Sequence, residues 1–373
     1  MDGIVRKFNL VPGVSKLKKS ELEYYLFFIV IEFGEALNIG SGNKLYLALA
    51  ATGIFFLLFK LADTRFNKQE LFFIILLSAL AILIYYSSRK FGGILSILAL
   101  IGLKGVDIKK LLKLSFYIRL TSFISLICLS SFGIIQNTVI SNLRGDSTIV
   151  RYSMGFSHPN QFHLAYIILL LLCIYLYYDK MGILQISLLG ALNIVLYYLS
   201  HSRTSALIGF LAISLLIWFK SKSFPKIKNC ICMGILPFGF LISLIPSLLY
   251  DKLPNIRTID NLLQWRITFS RHYLSFYPMK LFGNNLGGDP TVLDSGYVEL
   301  VINYGLIFTF LYLSAFMLLA YRCIKEKKDR ELLFIVCFAV YGITEAFIPN
   351  LFTNLSMIFI GELIFNRQRE KVS

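Results

Sequence analysis

Three short stretches of this chain hold the side chains best suited to act on an anionic substrate. The first carries Arg151, His158 and Asn160, the second His201 and Arg203, and the third Arg266, Arg271, Asp294 and Tyr297. Guanidinium forks match phosphate oxygens two at a time, and fixed cationic donors stabilise charge that develops on a leaving group. A carboxylate such as Asp294 can take the proton from an attacking hydroxyl, an effect of roughly 10²–10⁴ in rate. No closely spaced Asp-x-Asp pair stands near these residues, so neither a divalent metal nor a cofactor is expected.

Plainer roles stand beside each of these. Asp294 suits a helix N-cap, and Arg203 a headgroup anchor that snorkels. His158 and His201 suit interfacial hydrogen bonding, Arg151 and Arg271 a surface or lipid-phosphate contact. Asn160 could serve the first turn of a helix, and Tyr297 an aromatic belt.

The elements that must position them are membrane spans. Of 373 residues 57% are hydrophobic and 15% aromatic, with a mean hydropathy of +0.70, well beyond what a soluble core requires. A span needs about 20 mostly apolar residues, and such runs recur near 22–38, 45–60, 70–87, 91–104, 111–134, 161–178, 183–200, 204–219, 230–250, 296–320, 332–348 and 351–365. The expectation is one membrane-embedded, all-α domain over 1–373, a polytopic transmembrane helical bundle of about 12 helices. A first outer loop occupies 135–160, and a large helical outer loop occupies 251–295. The first apolar run is interrupted by Glu32 and Glu35, which argues against a cleaved signal.

The net charge of +16 is explained by topology and gives no reason to invoke nucleic acid. Alternate links and both termini hold 25 of the 37 Lys and Arg residues, and the positive-inside rule makes that set cytoplasmic. It contains nineteen lysines and six arginines, whereas the opposite links carry seven arginines and four lysines. The outer face therefore reads as the one that holds an anionic ligand.

Three helices enter the membrane from that face with unusual first residues: Gly155-Phe-Ser-His158-Pro159-Asn160, His201-Ser202-Arg203-Thr204 and Leu293-Asp294-Ser295-Gly296-Tyr297. Pro159 suits a first helical position and Ser202 an N-cap, and positive helix ends favour anions. In the large loop, 258–276 reads as one amphipathic helix with an apolar stripe through Ile259, Leu262, Leu263 and Tyr273. Arg266 falls inside the stripe, where a buried guanidinium needs an anionic or carbonyl partner. Glu32, Glu35, Arg119, Glu299, Glu345 and Glu362 lie within apolar runs and should face the protein interior, Arg119 forming a structural ion pair with one of the glutamates or, as the competing role, serving a proton-coupled relay that no spacing singles out.

The strings GFSHPNQFH, LSHSRTSALIGF, QWR, LFGNNLGG and LDSGYVELVINYGLI resemble those of the Wzy polymerase and O-antigen ligase superfamily, over roughly 150–310. The resemblance implies a metal-independent, inverting glycosyltransferase, GT-C-like in fold, in the cytoplasmic (inner) membrane with its active site on the extracytoplasmic face. It implies undecaprenyl-diphosphate-linked oligosaccharide repeat units as substrates, membrane lipids as surroundings, and a flippase and chain-length regulator of the same pathway as partners. Arg203 and Arg266 stand at positions matching the family's diphosphate-holding arginines, and Asp294 is the candidate base. Ligases of the superfamily carry His-Asn where this chain has Asp294-Ser295, which favours polymerase over ligase. The competing class is a lipid-linked oligosaccharide flippase or other secondary transporter. That class should show two related halves and charge along a central cavity, whereas the polar residues here gather after residue 140.

Overall fold

Runs of about 20 apolar residues that must satisfy every backbone N–H and C=O internally have one local solution in lipid, the α-helix, and the chain is built almost wholly of helices. The structure, a computed structural model, describes residues 18–40, 42–144, 147–289, 291 and 293–365. Arg6, Lys7 and Lys16, counted above with the cytoplasmic set, lie outside the described residues.

In chain order the elements are α1 (Lys19–Ala36), α2 (Lys44–Ala62), α3 (Lys68–Ser88), α4 (Phe91–Gly102), α5 (Ile108–Ser131), β1 (Val139–Arg144), β2 (Ser147–Tyr152), α6 (Pro159–Tyr177), α7 (Ile183–Ser200), α8 (Arg203–Ser221) and α9 (Pro225–Leu248). Then come α10 (Ile256–Leu262), α11 (Arg266–Phe276), α12 (Gly296–Lys325), α13 (Asp329–Tyr341) and α14 (Leu355–Phe365). Each of the twelve expected spans thus has a helix. Among the described residues, eight helices are long and apolar enough to cross a membrane. Large apolar side chains lie exposed along them, Phe72, Leu188 and Phe310 among others. A solvent-facing surface of that kind would be untenable in water and is ordinary against lipid. This is a polytopic helical membrane protein.

The helix ends sort onto two opposite faces, as the alternation of links requires. On one, Lys104 pairs with Glu70 at 2.5 Å, Lys228 with Asp329 at 2.7 Å and Lys328 with Glu362 at 3.2 Å. On the other, Asn38 at the end of α1 donates to Ser157 before α6, and Ser87 at the end of α3 donates to the Gly283 carbonyl of the large loop. Helix α6 runs through the middle with both its flanks buried, while α7 lies at the periphery.

Two local expectations need correction, and two features add to what was expected. The link 135–160 folds its β-branched stretches around Val139-Ile140 and Thr148-Ile149-Val150 into an antiparallel hairpin, with Ile140 opposite Arg151, a small addition to an all-α chain. Helix α13 stops at Tyr341 and α14 begins at Leu355, leaving 342–354 without regular structure where spans were expected to 348 and from 351. The side chain of Ile348 folds back onto Gly342, where a Cβ would come within 2.2 Å of it. Irregular backbone of this sort is tolerated at membrane depth only when buried in protein, and most of this segment is buried.

The expected helix 258–276 is two helices, α10 and α11, broken by left-handed Gln264 and Trp265. The break is held by Asp260, whose buried carboxylate accepts from the backbone N–H of Ile267 and Thr268 at 2.8 and 3.2 Å and so caps α11 from outside the helix. The apolar stripe dissolves with it: Ile259, Leu262 and Leu263 are exposed, and Tyr273 alone is buried. Finally, α12 widens to a π-turn at Leu300–Tyr304. The loop supplies the missing partners, Asn284 donating through its backbone to the Ile302 carbonyl at 2.8 Å and Leu306 to the Lys280 carbonyl at 3.0 Å. The approach requires glycine on both sides, since a Cβ on Gly283 would lie 2.0 Å from the Asn303 oxygen and both Gly283 and Gly305 have positive φ.

Candidate functional site

The starts of α6, α8, α11 and α12 and the segment after α13 converge at the face opposite the lysines. Arg266 is the first residue of α11, buried to 9% exposure. Its Nε donates to the Thr344 carbonyl at 3.0 Å, its Nη1 to the Leu263 carbonyl at 3.4 Å and its Nη2 to Glu345 at 3.3 Å. Asp294 lies 3.8 Å from Nε. A guanidinium has five N–H donors, so two remain for a ligand. The expectation of carbonyl and anionic partners for Arg266 is met, although the reason is its place at the α10–α11 break rather than an apolar stripe.

Arg151, buried on β2, donates through Nε to the Ser200 carbonyl at the end of α7 and through Nη2 to Asn160 in the first turn of α6. It thereby ties three of the expected site segments together. His158 is the N-cap of α6: its Nδ1 accepts from the Asn160 backbone N–H at 3.1 Å, which leaves the proton on Nε2. Burial, reinforced by the Arg151 guanidinium and opposed by Asp294, lowers the His158 imidazole from its ordinary value, so it is a neutral donor at pH 7. Asp294 moves the other way. Burial raises its carboxyl above the usual value against the pull of Arg266 and His158.

Asp294 is not the N-cap of α12. Ser295 holds that position, and its hydroxyl, which makes no hydrogen bond among the described residues, does not cap the helix. Asp294 therefore stands free of the first-turn duty that would have explained it away. The approach to it is anchored: Asp289 accepts from His272 and Tyr277, both at 3.0 Å, and Tyr273 donates to the Thr291 carbonyl.

Arg203 opens α8, exposed at its first position. Ser202 holds the N-cap position, but its hydroxyl bonds the Ser205 side chain at 2.9 Å rather than a backbone N–H. His201 ends α7 in the left-handed conformation with its ring edge-on to Tyr197.

Two expected substrate contacts are corrected. Tyr297 is wholly buried and donates to the Ala339 carbonyl at 2.9 Å, so it fastens α12 to α13. Arg271 pairs with Asp251 at 2.6 Å and lies over the Tyr250 ring, which holds the loop's own surface together.

Glu345 is the residue that reading the chain did not place. It lies within electrostatic reach of Arg266, Asp294 and Arg151, so the site holds two carboxylates facing buried arginines from two sides. Its signal was a glutamate in an apolar run four residues before Pro349, which tells of an interior charge but not of its partner. Compared with known proteins, the chain matches no family model, no curated protein and no solved structure.

Proposed function

We propose that this protein is a membrane-embedded glycosyltransferase that joins undecaprenyl-diphosphate-linked oligosaccharide repeat units into a capsular or O-antigen-type polysaccharide, at the outer face of the cytoplasmic membrane. The observation that carries the reading is the Arg266 cluster: a buried guanidinium with two N–H donors to spare, beside an uncommitted carboxylate at the mouth of a transmembrane helix. Arg266, with Arg203 at the rim, takes the diphosphate as it leaves. Asp294 removes the proton of the attacking hydroxyl as the sugar–oxygen bond to the diphosphate breaks and the new glycosidic bond forms from the opposite side, with inversion. Neutral His158 donates from Nε2 without adding charge.

The charge rule supports an outer placement of the cluster, since the opposite face carries the lysine-rich links. The Asp294-Ser295 sequence supports polymerase over ligase through the resemblance. The test is elongation in vitro by purified protein supplied with undecaprenyl-diphosphate repeat units, with and without chelator. Lengthening of the lipid-linked glycan in both is expected. Movement of the substrate across the bilayer with no lengthening would replace the enzyme by a transporter.

A further inference from the structure

A polar recess opens at the same end of the bundle, outside the Arg266 cluster. It is a cavity of about 50 Å³ between the last turn of α1, the middle of α5, the first turns of α6 and the 342–354 segment. Its polar lining is Glu35, Asn38, Arg119, Gln161 and Thr353, with Phe156 and Ala165 among the apolar wall. Arg119 is 6% exposed; its Nε and Nη2 are spent on Glu32 and the Phe352 carbonyl, yet no described residue accepts from Nη1. The Gln161 amide and the Thr353 hydroxyl also have no hydrogen-bond partner among the described residues, although both are half-buried. These groups open to the recess and have hydrogen-bonding capacity for a ligand there.

The lining selects the chemistry. Arg119 is already neutralised by Glu32, Glu35 stands in the wall and, among the described residues, no second cation lines the recess, so a phosphate has nothing to pair with there, whereas the Arg266 cluster has Arg151 at hand as well. A guanidinium, an amide, a hydroxyl and a carboxylate together offer donors and acceptors in balance, which suits a neutral ligand rich in hydroxyls. At roughly 10–15 Å³ for each water-sized group, the recess takes three or four hydroxyls, which is one edge of a sugar ring. Its position fits as well. On α6, Asn160 turns to Arg151 while Gln161, Ala165 and Ile168 share the face toward the recess. The 342–354 segment likewise carries Glu345 to Arg266 and Thr353 to the recess.

We propose that the recess is a saccharide subsite that grips the hydroxyl edge of the acceptor glycan, beside and separate from the Arg266 cluster. The word acceptor rests on the polymerase reading; affinity for a sugar does not. The probe is the lipid-free repeat-unit oligosaccharide released from its diphosphate by mild acid, titrated into the full-length protein in detergent. Gln161→Ala and Thr353→Val should each weaken binding about tenfold. Ala165→Met, which fills the recess and removes no polar group, should do the same. In the elongation assay these variants should raise KM for the acceptor about tenfold and hold kcat within about twofold. Wild type that lengthens glycan but binds the oligosaccharide equally well in all three variants, or not at all, overturns the subsite and leaves the polymerase. Binding lost in the variants, in a protein that lengthens nothing, overturns the polymerase and leaves a saccharide site.

Discussion

Arg119 and Arg266 are both buried in apolar surroundings, and their partners set them apart. Arg119 sits within α5 and meets Glu32 of α1 through two donors, at 2.7 and 3.1 Å, while Ser115 bonds the same carboxylate and the Phe352 carbonyl takes a further N–H. One positive charge is matched by one negative charge in good geometry. Arg266 at the helix mouth meets two carboxylates, at 3.3 and 3.8 Å, and leans on backbone carbonyls for the rest. Desolvating a guanidinium is costly unless its partners are close and aligned. Both leave donors over, but Arg119 is locked by short, aligned bonds within the protein, whereas Arg266 is held by longer contacts at the helix mouth.

Removing Arg119 should break the comparison most sharply. Arg119→Leu leaves Glu32, which is fully buried, without a counter-charge, and should cost about 3–5 kcal/mol, read as a lowered melting temperature in detergent and less protein in the membrane. Adding Glu32→Leu to that variant should recover most of the loss, because an apolar pair of similar volume replaces a buried ion pair at little cost. Arg266→Lys should behave in reverse: elongation falls about 10²-fold while the melting temperature moves little, since a charge remains and only the fork is lost. Equal losses of stability in the two variants would erase the distinction.

The third prediction concerns pH. Burial raises the Asp294 carboxyl, so the native state binds its proton more tightly than the unfolded chain. Between the ordinary aspartate value and the raised one, stability falls as pH rises. The base must be ionised, so elongation should rise about tenfold per unit as pH climbs toward that raised value and then level off. Asp294→Asn should abolish both the activity and the limb in a protein that still inserts and folds. The smallest effect belongs to Arg271→Ala, which removes an exposed pair with Asp251 and should change stability by under about 1 kcal/mol and leave KM unmoved.

Much of this was legible in the chain because lipid imposes a simple code. Twelve apolar runs gave twelve helices, and the pairing of Arg119 with a glutamate followed from the cost of leaving either alone. What failed to read out depends on contacts distant in sequence. Asp260 breaks the loop helix by capping α11 across the turn, which no periodicity announces. Pro349-Asn350 marks a break within 342–354, but how far the irregular stretch reaches is set by its packing. Arg151, His158, Asn160, Arg266 and Asp294 do gather, whereas Tyr297 and Arg271 satisfy other partners. Glu345 escaped because a buried acid does not reveal in sequence which cation it faces.

The irregular 342–354 segment touches both arginines, through Glu345 at one end and the Phe352 carbonyl near the other. A genetic selection for loss of the protein's product would therefore return lesions at both places, and abundance would tell them apart. Lesions at Arg119 or Glu32 would deplete the protein from the membrane, and those at Arg266 would leave it present and idle. Second-site suppressors should concentrate in the same thirteen-residue strap, because among the described residues it is the stretch bonded to both arginines.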